Sequence, residues 1–175
     1  MRQGDKATVL LIDDELVNIK ILSDILKGEY EVIFATSGEE GVHRAVESLP
    51  DIILLDVMMP GMDGYAVCSR LQQDTRTAGI PVVYVTALGS TAQEVKGLNT
   101  GAIDYITKPI NGEIVKARVR NHLKFRRVVK TVAMDEPEDE RMAKMTERQR
   151  EIFRWVQEGK TNWEIARIIG CSEEN

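Results

Sequence analysis

Five short apolar runs alternate with helix-length amphipathic segments over most of the chain, and this alternation restricts the possible folds more than any other feature. Near-continuous apolar runs are typical of parallel strands that are buried on both faces of a sheet. Successive strand-then-helix units predict an α/β fold, a doubly wound parallel sheet with right-handed crossovers. We predict the five strands at Thr8–Ile12, Glu31–Ala35, Ile52–Leu55, Pro81–Val85 and Ile103–Ile106.

The segments between the runs have the spacing of amphipathic helices. The first, Leu16–Leu26, is apolar at every third or fourth position and precedes Gly28, a residue type that commonly ends helices. Ser37 opens the second helix, whose inward-facing residues are predicted to be Val42, Ala45, Val46 and Leu49. The third, fourth and fifth helices are predicted at Tyr65–Leu71, at Ala92–Asn99 and from Asn111 to about Ala133.

The fifth predicted helix is long and strongly basic. Between Lys116 and Lys130 it has seven basic residues and no acidic one (positions 116, 118, 120, 124, 126, 127 and 130). Two interpretations remain open: the solvated face of an extended helix, or an interdomain stalk or partner surface. In the second case a short apolar seam would consist of Phe125, Val128 or Val129, and Val132. One heptad is too short to establish a coiled coil.

A smaller pattern follows this helix. Residues 135–140 form an acidic block around Pro137 and are predicted as a linker. Capping-box patterns at residues 146–149 and 161–164 each begin an apolar helical face, which predicts a small all-α piece. We therefore divide the chain into residues 6–125, an α/β domain, residues 126–144, a helical extension with an acidic linker, and residues 145–175, the all-α piece.

The composition excludes several classes of function. A formal net charge of −5 argues against nucleic-acid binding over the whole surface. No apolar run reaches the roughly 18 residues of a membrane span, and the N-terminus lacks the pattern of a signal peptide. Cys68 and Cys171 do not have a metal-binding spacing, so we expect reduced thiols in a cytoplasmic protein without a membrane partner.

Polar side chains follow four of the predicted strands. Asp13 and Asp14 follow the first strand, Asp56 the third, Thr86 the fourth and Lys108 the fifth. Because the carboxyl ends of parallel strands meet at one edge, we expect all five side chains to face one point. Neighbouring carboxylates raise one another's pKa unless a cation such as Mg²⁺ or Lys108 neutralises them. The set predicts phosphoryl transfer to a carboxylate, a nucleophile that needs no general base.

These residues lie in motifs that resemble those of the response regulator receiver domain, the CheY-like fold, over about residues 6–125. The motifs are Leu11–Glu15, Asp56–Gly64, Val85–Ala87 and Gly101–Pro109, and the intervals between them match those of the family. The resemblance implies a flavodoxin-like sheet with strand order 2-1-3-4-5 and a cis Lys108-Pro109 bond.

The resemblance also implies roles for the site residues. Asp56 would accept a phosphoryl group from a histidine kinase, Lys108 would pair with that group, and Thr86 would hydrogen-bond it. Mg²⁺ would be held by Asp13, Asp14, Asp56 and the main-chain oxygen of Met58, with Asp13 acting through a metal-bound water.

A two-state switch is implied as well. Phosphorylation adds charge and acceptor oxygens at Asp56, Thr86 moves toward them, and Tyr105, which we expect to be exposed beforehand, enters the vacated space. The face of the fourth helix, fifth strand and fifth helix then changes. We expect a homodimer through the face of the fourth and fifth helices or through the extension of the fifth. Met58 and Leu88 flank the phosphoryl group in this family, and because both are apolar here we expect a long-lived phosphorylated state.

Residues 145–175 resemble the start of a LuxR-type helix-turn-helix, on the segments Met145–Ile152, Glu158–Ala166 and Gly170–Glu173. The recognition helix, which enters the major groove, should begin near Ser172, and only its cap is present. DNA binding is therefore expected only if the parent protein contains that helix. The chain is either a shortened form of a longer protein or comes from a protein that has lost the helix.

Two functions remain open. The first is a phosphorylation-controlled transcription regulator, and the alternative is a signalling or adaptor protein that acts through protein contacts without binding DNA. A haloacid-dehalogenase-type phosphatase is disfavoured, since such enzymes have a second Asp two residues after the nucleophile, where this chain has Met58. We expect no enzymatic activity beyond self-phosphorylation from a phosphodonor and slow autodephosphorylation.

Overall fold

The computed structural model describes residues 6–87 and 101–133, together with residues 147, 150, 151, 154 and 155. Five parallel strands form one sheet in the predicted order, β2-β1-β3-β4-β5. The strands are β1 (Thr8–Ile12), β2 (Glu31–Ala35), β3 (Ile52–Asp56), β4 (Val82–Thr86) and β5 (Asp104–Thr107). The described helices are α1 (Leu16–Leu26), α2 (Gly38–Ser48), α3 (Gly64–Gln73) and α4 (Gly112–Ala133). Helix α4 corresponds to the fifth of the helices predicted from the sequence. The helix predicted at residues 92–99, the acidic linker and nearly all of the helix-turn-helix pattern lie outside the described residues.

The sheet is covered on both faces, and successive side chains of its strands enter opposite cores. In β1, Leu10 and Ile12 join the cluster under α2 and α3, whereas Val9 and Leu11 join the cluster under α1 and α4. This alternation follows from the two-residue period of a strand. All five residues of β3 and of β4 are buried, which makes the sheet a rigid support for the groups at its carboxyl edge.

The loop from β3 to α3 lies tightly against the sheet. The Asp63 carboxylate caps α3 by accepting a hydrogen bond from the Ala66 N–H at 2.8 Å. Gly64 follows, and a Cβ at this position would collide with the backbone oxygen of Asp56 and come within 2.8 Å of the Val57 Cα. The absence of a side chain at residue 64 therefore allows the loop to close over the end of β3.

The structure contradicts one prediction about the core. Leu49, which we predict to face inward, is 52% exposed. It ends α2 in the left-handed conformation, with φ of 45°. Since its backbone has left the helical conformation, helical spacing no longer determines the direction of its side chain.

Helix α4 is attached to the domain by three of its basic residues. Arg118 pairs with Asp104 of β5, Arg120 with Glu29 at 3.6 Å, and Arg126 donates to the Pro50 carbonyl oxygen at 2.7 Å. The basic run is therefore more than a solvated face, since part of it holds the helix in place. The side chains of the predicted seam (Phe125, Val128, Val129 and Val132) lie outside the described part of the structure. Among the described residues, no helix has both the length and the apolar character required to cross a bilayer.

Candidate metal and phosphoryl-transfer site

Three carboxylates meet at the carboxyl edge of the sheet, as the spacing predicts. Asp13 and Asp14 follow β1, and Asp56 is the last residue of β3, the strand paired with β1. One oxygen from each carboxylate can be chosen so that all three lie within 4.8 Å of one another. Asp13 and Asp56 are buried, at 2% and 5% exposure, whereas Asp14 is open to solvent.

Lys108 bridges the two buried carboxylates. Its Nζ lies 3.2 Å from Oδ2 of Asp13 and 3.2 Å from Oδ2 of Asp56. The lysine follows β5, where its N–H donates to the Thr86 carbonyl oxygen at 2.8 Å, and the Lys108-Pro109 bond is cis, as expected. The amine therefore supplies local neutralisation for two of the three acids.

Burial and neighbouring charges act against each other at this site. Burial raises the pKa of the Asp56 carboxyl and the Asp13 charge adds to that rise, although Lys108 and the Met58 N–H oppose it. Burial alone would lower the pKa of Lys108, but the carboxylates of Asp13 and Asp56 outweigh it and raise that pKa. The lysine is thus held in its charged form.

Asn18, which sequence reasoning missed, contacts Asp13 directly. Oδ1 of Asp13 accepts hydrogen bonds from the Glu15 N–H at 2.8 Å and from Nδ2 of Asn18 at 3.1 Å. The available signal was its place as the third residue of α1, because helical side chains tilt toward the N-terminus and this one points back at the end of β1.

Thr86 and Tyr105 occupy neighbouring strands, and Tyr105 differs from expectation. Thr86 ends β4 and is 6% exposed. Tyr105 is half-buried rather than exposed, because it packs against the core cluster under α2 and α3. The Arg118 guanidinium carbon also lies 5.9 Å from the centre of its ring. Any inward movement of Tyr105 therefore starts from a packed position.

A second polar cluster adjoins Tyr105 and was not anticipated. The Asp104 carboxylate accepts hydrogen bonds from Arg118 and from the Tyr105 N–H at 2.8 Å, and it lies 2.9 Å from Nε2 of His122. Burial would raise the pKa of Asp104, but His122 and Arg118 outweigh it and lower that pKa. The cluster joins β5 to α4 next to the predicted switch residue.

Met58 lies two residues beyond Asp56, and its N–H donates to Oδ1 of Asp56 at 3.3 Å. Its side chain is 64% exposed. Leu88, the other apolar residue predicted to flank the phosphoryl group, lies outside the described residues.

The donors at this edge suit a hard divalent cation. All three side chains offer carboxylate oxygens, the ligand type that Mg²⁺ prefers. The exposed Asp14 leaves a solvent-facing side on which an ion could retain water. The residues present therefore fit Mg²⁺.

Comparisons with known proteins agree with this geometry. The family model of the response regulator receiver domain matches residues 9–120, and that of bacterial regulatory proteins of the luxR family matches residues 143–175. Response regulator PleD of Caulobacter vibrioides is 44% identical over 137 residues, which are 78% of this chain and 30% of that protein. The DNA-binding dual master transcriptional regulator RpaA of Synechocystis is 44% identical over 113 residues, 64% of this chain and 47% of that protein.

Among solved structures, chemotaxis protein CheY4 of Vibrio cholerae is similar at a TM-score of 0.63 and 28% identity, covering 66% of this chain and 97% of that one. The two curated relatives are much longer than the matched region, since the chain spans less than half the length of either.

Proposed function

Because this chain belongs to the response regulator family, we propose that it accepts a phosphoryl group on Asp56 and thereby controls an output domain. The observation that carries the proposal is the convergence of three carboxylates with one amine, placed 3.2 Å from Asp13 and from Asp56. The amine neutralises charge at the site, as phosphoryl transfer requires. The nucleophile is itself a carboxylate, so the reaction needs neither a general base nor a hydroxyl nucleophile.

In the proposed reaction, a carboxylate oxygen of Asp56 forms a bond to the phosphorus of the donor. The bond between phosphorus and the donor atom breaks, and its electron pair leaves with the donor. Lys108 turns from the carboxylates toward a phosphoryl oxygen, and the Thr86 hydroxyl donates to another. Positioning and charge neutralisation supply the catalysis, and the chain has no further enzymatic activity beyond slow loss of the phosphoryl group.

We assign the cation site to Asp13, Asp14, Asp56 and the main-chain oxygen of Met58. Bound Mg²⁺ supplies positive charge that offsets repulsion between the carboxylate and the incoming phosphoryl oxygens. The all-oxygen donor set supports this assignment.

Intact-mass measurement tests the reaction. With acetyl phosphate and Mg²⁺, the wild-type chain should gain the mass of one phosphoryl group, and neither Asp56→Asn nor an EDTA-treated sample should. Peptide mapping should place the label on Asp56. An unchanged mass of the wild type, or a label on another residue, would refute the proposal.

For the switch, we propose that Thr86 and Tyr105 respond to the phosphoryl group together. The half-buried position of Tyr105 under Arg118 supports a short inward movement that breaks the ring–guanidinium contact. The apolar Met58 and Leu88 support a long-lived phosphorylated state, since neither can orient an attacking water. Decay of the purified phosphoprotein within seconds would contradict that lifetime.

The proposed donor is a histidine kinase, which would act in the cytoplasm. Asp56 is 5% exposed, so the donor must contact the rim of the site. Leu16 and Val17, which open α1 beside the acids, are 65% and 67% exposed and offer an apolar contact for the kinase. Val17→Asp should slow transfer from a phosphorylated histidine kinase and leave labelling by acetyl phosphate unchanged.

The proposed output is regulation of transcription. The luxR-family match at residues 143–175 supports a DNA-binding module there, joined to the receiver domain (6–125) by residues 126–144. DNA binding would depend on the recognition helix of this module, and dimerisation would use the face of the predicted fourth helix (residues 92–99) and α4, or the extension of α4. Selection of genomic DNA by the phosphorylated parent protein should enrich defined sites. Enrichment of none would favour the adaptor function.

A further inference from the structure

We propose that Asn18 is a positioning residue of the metal site, whose side-chain amide fixes the Asp13 carboxylate so that Oδ2 faces Lys108 and would be available to a divalent cation. The inference rests on the proposed function, because it concerns the same acidic site. It adds a residue outside the family motif that identifies that site.

The hydrogen bonds of Asp13 divide between its two oxygens. Oδ1 accepts from the Glu15 N–H and from Nδ2 of Asn18, at 2.8 and 3.1 Å, and Oδ2 faces Nζ of Lys108 at 3.2 Å. The carboxylate is 2% exposed, so water has little access to replace a missing donor. With Oδ1 held by two donors, rotation of the carboxylate is restricted and Oδ2 stays directed into the site.

Both amide hydrogens of Asn18 have an acceptor. Besides Asp13, Nδ2 lies 3.1 Å from Oε2 of Glu15, a second carboxylate. Since carboxylates only accept, the nitrogen must be the atom that faces them, which settles the orientation of the amide. One neutral side chain therefore holds the acids on either side of Asp14 without adding charge that would compete with a cation.

The side chain is not needed to begin α1. The Asn18 backbone N–H already bonds the Glu15 carbonyl oxygen at 3.0 Å, and the Ile19 N–H reaches the same oxygen at 3.2 Å. Loss of the side chain should therefore act on the metal site more than on the fold. Partners that orient the ligands of a metal typically change its affinity by about 10–100-fold when they are removed.

The test measures Mg²⁺ affinity directly, without a phosphodonor. Backbone amide shifts of Glu15 and Met58 are followed by NMR during titration of the full chain with Mg²⁺. Asn18→Leu should raise the Mg²⁺ dissociation constant by about tenfold. Lys20→Ala, at an exposed position on the same helix, should leave it unchanged. If Asn18→Leu fails to fold, Asn18→Ser, which removes the amide but retains a polar side chain, replaces it.

A double-mutant cycle shows whether Asn18 acts through Asp13. In an Asp13→Asn background, Asn18→Leu should cause no further loss of affinity, whereas additive losses would mean that Asn18 acts independently and would overturn the proposal. Acetyl phosphate labelling gives a second readout. Asn18→Leu should need more Mg²⁺ for half-maximal rate but reach a rate close to wild type at saturation.

The outcomes separate the two proposals. If the wild type binds no Mg²⁺ and is not phosphorylated, the proposed function fails. If the wild type binds and reacts but Asn18→Leu binds Mg²⁺ equally well, only the inference about Asn18 fails. A lowered melting temperature in EDTA with an unchanged dissociation constant would show a structural role and would also overturn it.

Discussion

Replacing Lys108 with methionine should separate metal binding from phosphoryl transfer. The substitution keeps a long, unbranched side chain and removes the ammonium group placed 3.2 Å from Asp13 and from Asp56. Both carboxylates are almost fully buried, so they would be left close together with little water and no counter-charge.

The size of the effect follows from this burial. Removing one partner of a buried ion pair costs about 3–5 kcal/mol. The Lys108 side chain is 20% exposed, so water can partly replace the amine, and we expect a loss of about 2–3 kcal/mol without Mg²⁺. Mg²⁺ can neutralise the acids in place of the amine, so it should bind the variant more tightly than the wild type. Tenfold tighter binding would reduce the difference in free energy of unfolding between wild type and variant by about 1.4 kcal/mol at saturating Mg²⁺.

Urea unfolding at pH 8 measures the loss of stability when EDTA is present and the part of that loss that is recovered when Mg²⁺ is present. Lys20→Met on the exposed side of α1 is the matched control and should behave like the wild type. Acetyl phosphate labelling of Lys108→Met should fall by about 10²–10³-fold, because a preorganised charge that stabilises the transferring group is lost.

The critical result is that Lys108→Met should bind Mg²⁺ more tightly than the wild type and yet be labelled more slowly. A variant as stable as the wild type in EDTA, or a stability gap that widens when Mg²⁺ is added, would refute the electrostatic argument. Labelling at the wild-type rate would show that the amine does not contact the transferred group.

Three further predictions concern the support of the site. Asp104→Asn should lose about 1.5–3 kcal/mol at neutral pH because a charged hydrogen-bond acceptor is removed. Burial would raise the pKa of Asp104 but its histidine and arginine partners lower it, so this contribution is present above the unfolded pKa. The stabilisation by the Asp104 carboxylate is lost as pH falls through the folded pKa, so the free energies of unfolding of variant and wild type, measured with urea, should converge in acid. Arg126→Ala should cost about 1–3 kcal/mol by removing the donor to the carbonyl before β3, and hydrogen exchange near the end of α4 should accelerate. Gly64→Ala should destabilise the domain and suppress labelling, since its Cβ collides with the backbone of Asp56, whereas Gly79→Ala, with open space around it, should be tolerated in both assays. Equal stability and labelling of the two glycine variants would show that the loop from β3 to α3 can shift to accommodate a Cβ at residue 64.

The sequence alone determines the sheet and the identity of the central acids. Uninterrupted apolar runs can be buried only between two layers, and their alternation with helices leaves a parallel sheet as the consistent arrangement. Parallel strands then bring Asp13, Asp14, Asp56 and Lys108 to one edge, whatever the details of packing. The start of α2 at Ser37 and the start of α4 after Asn111 are equally local, because each cap bonds within its own turn.

The contacts between α4 and the rest of the domain could not be predicted from the sequence and were decided by the tertiary structure. Asp104 meets Arg118 and His122, which are 14 and 18 residues away, only because α4 packs back along β5 at one rotation. Helical spacing identifies the buried face of α4 but not the strand residue opposite each basic side chain. The half-buried state of Tyr105 also depends on tertiary packing, since its ring lies against the core cluster under α2 and α3 and the Arg118 guanidinium carbon lies 5.9 Å from the ring centre. Asn18 is the intermediate case: its place in the first turn follows from the sequence, but its bond to Asp13 needs the angle at which α1 leaves β1. Periodicity specifies which side of an element is buried, whereas hydrogen bonds are sensitive to fractions of an ångström, and only the packed layers set distances on that scale.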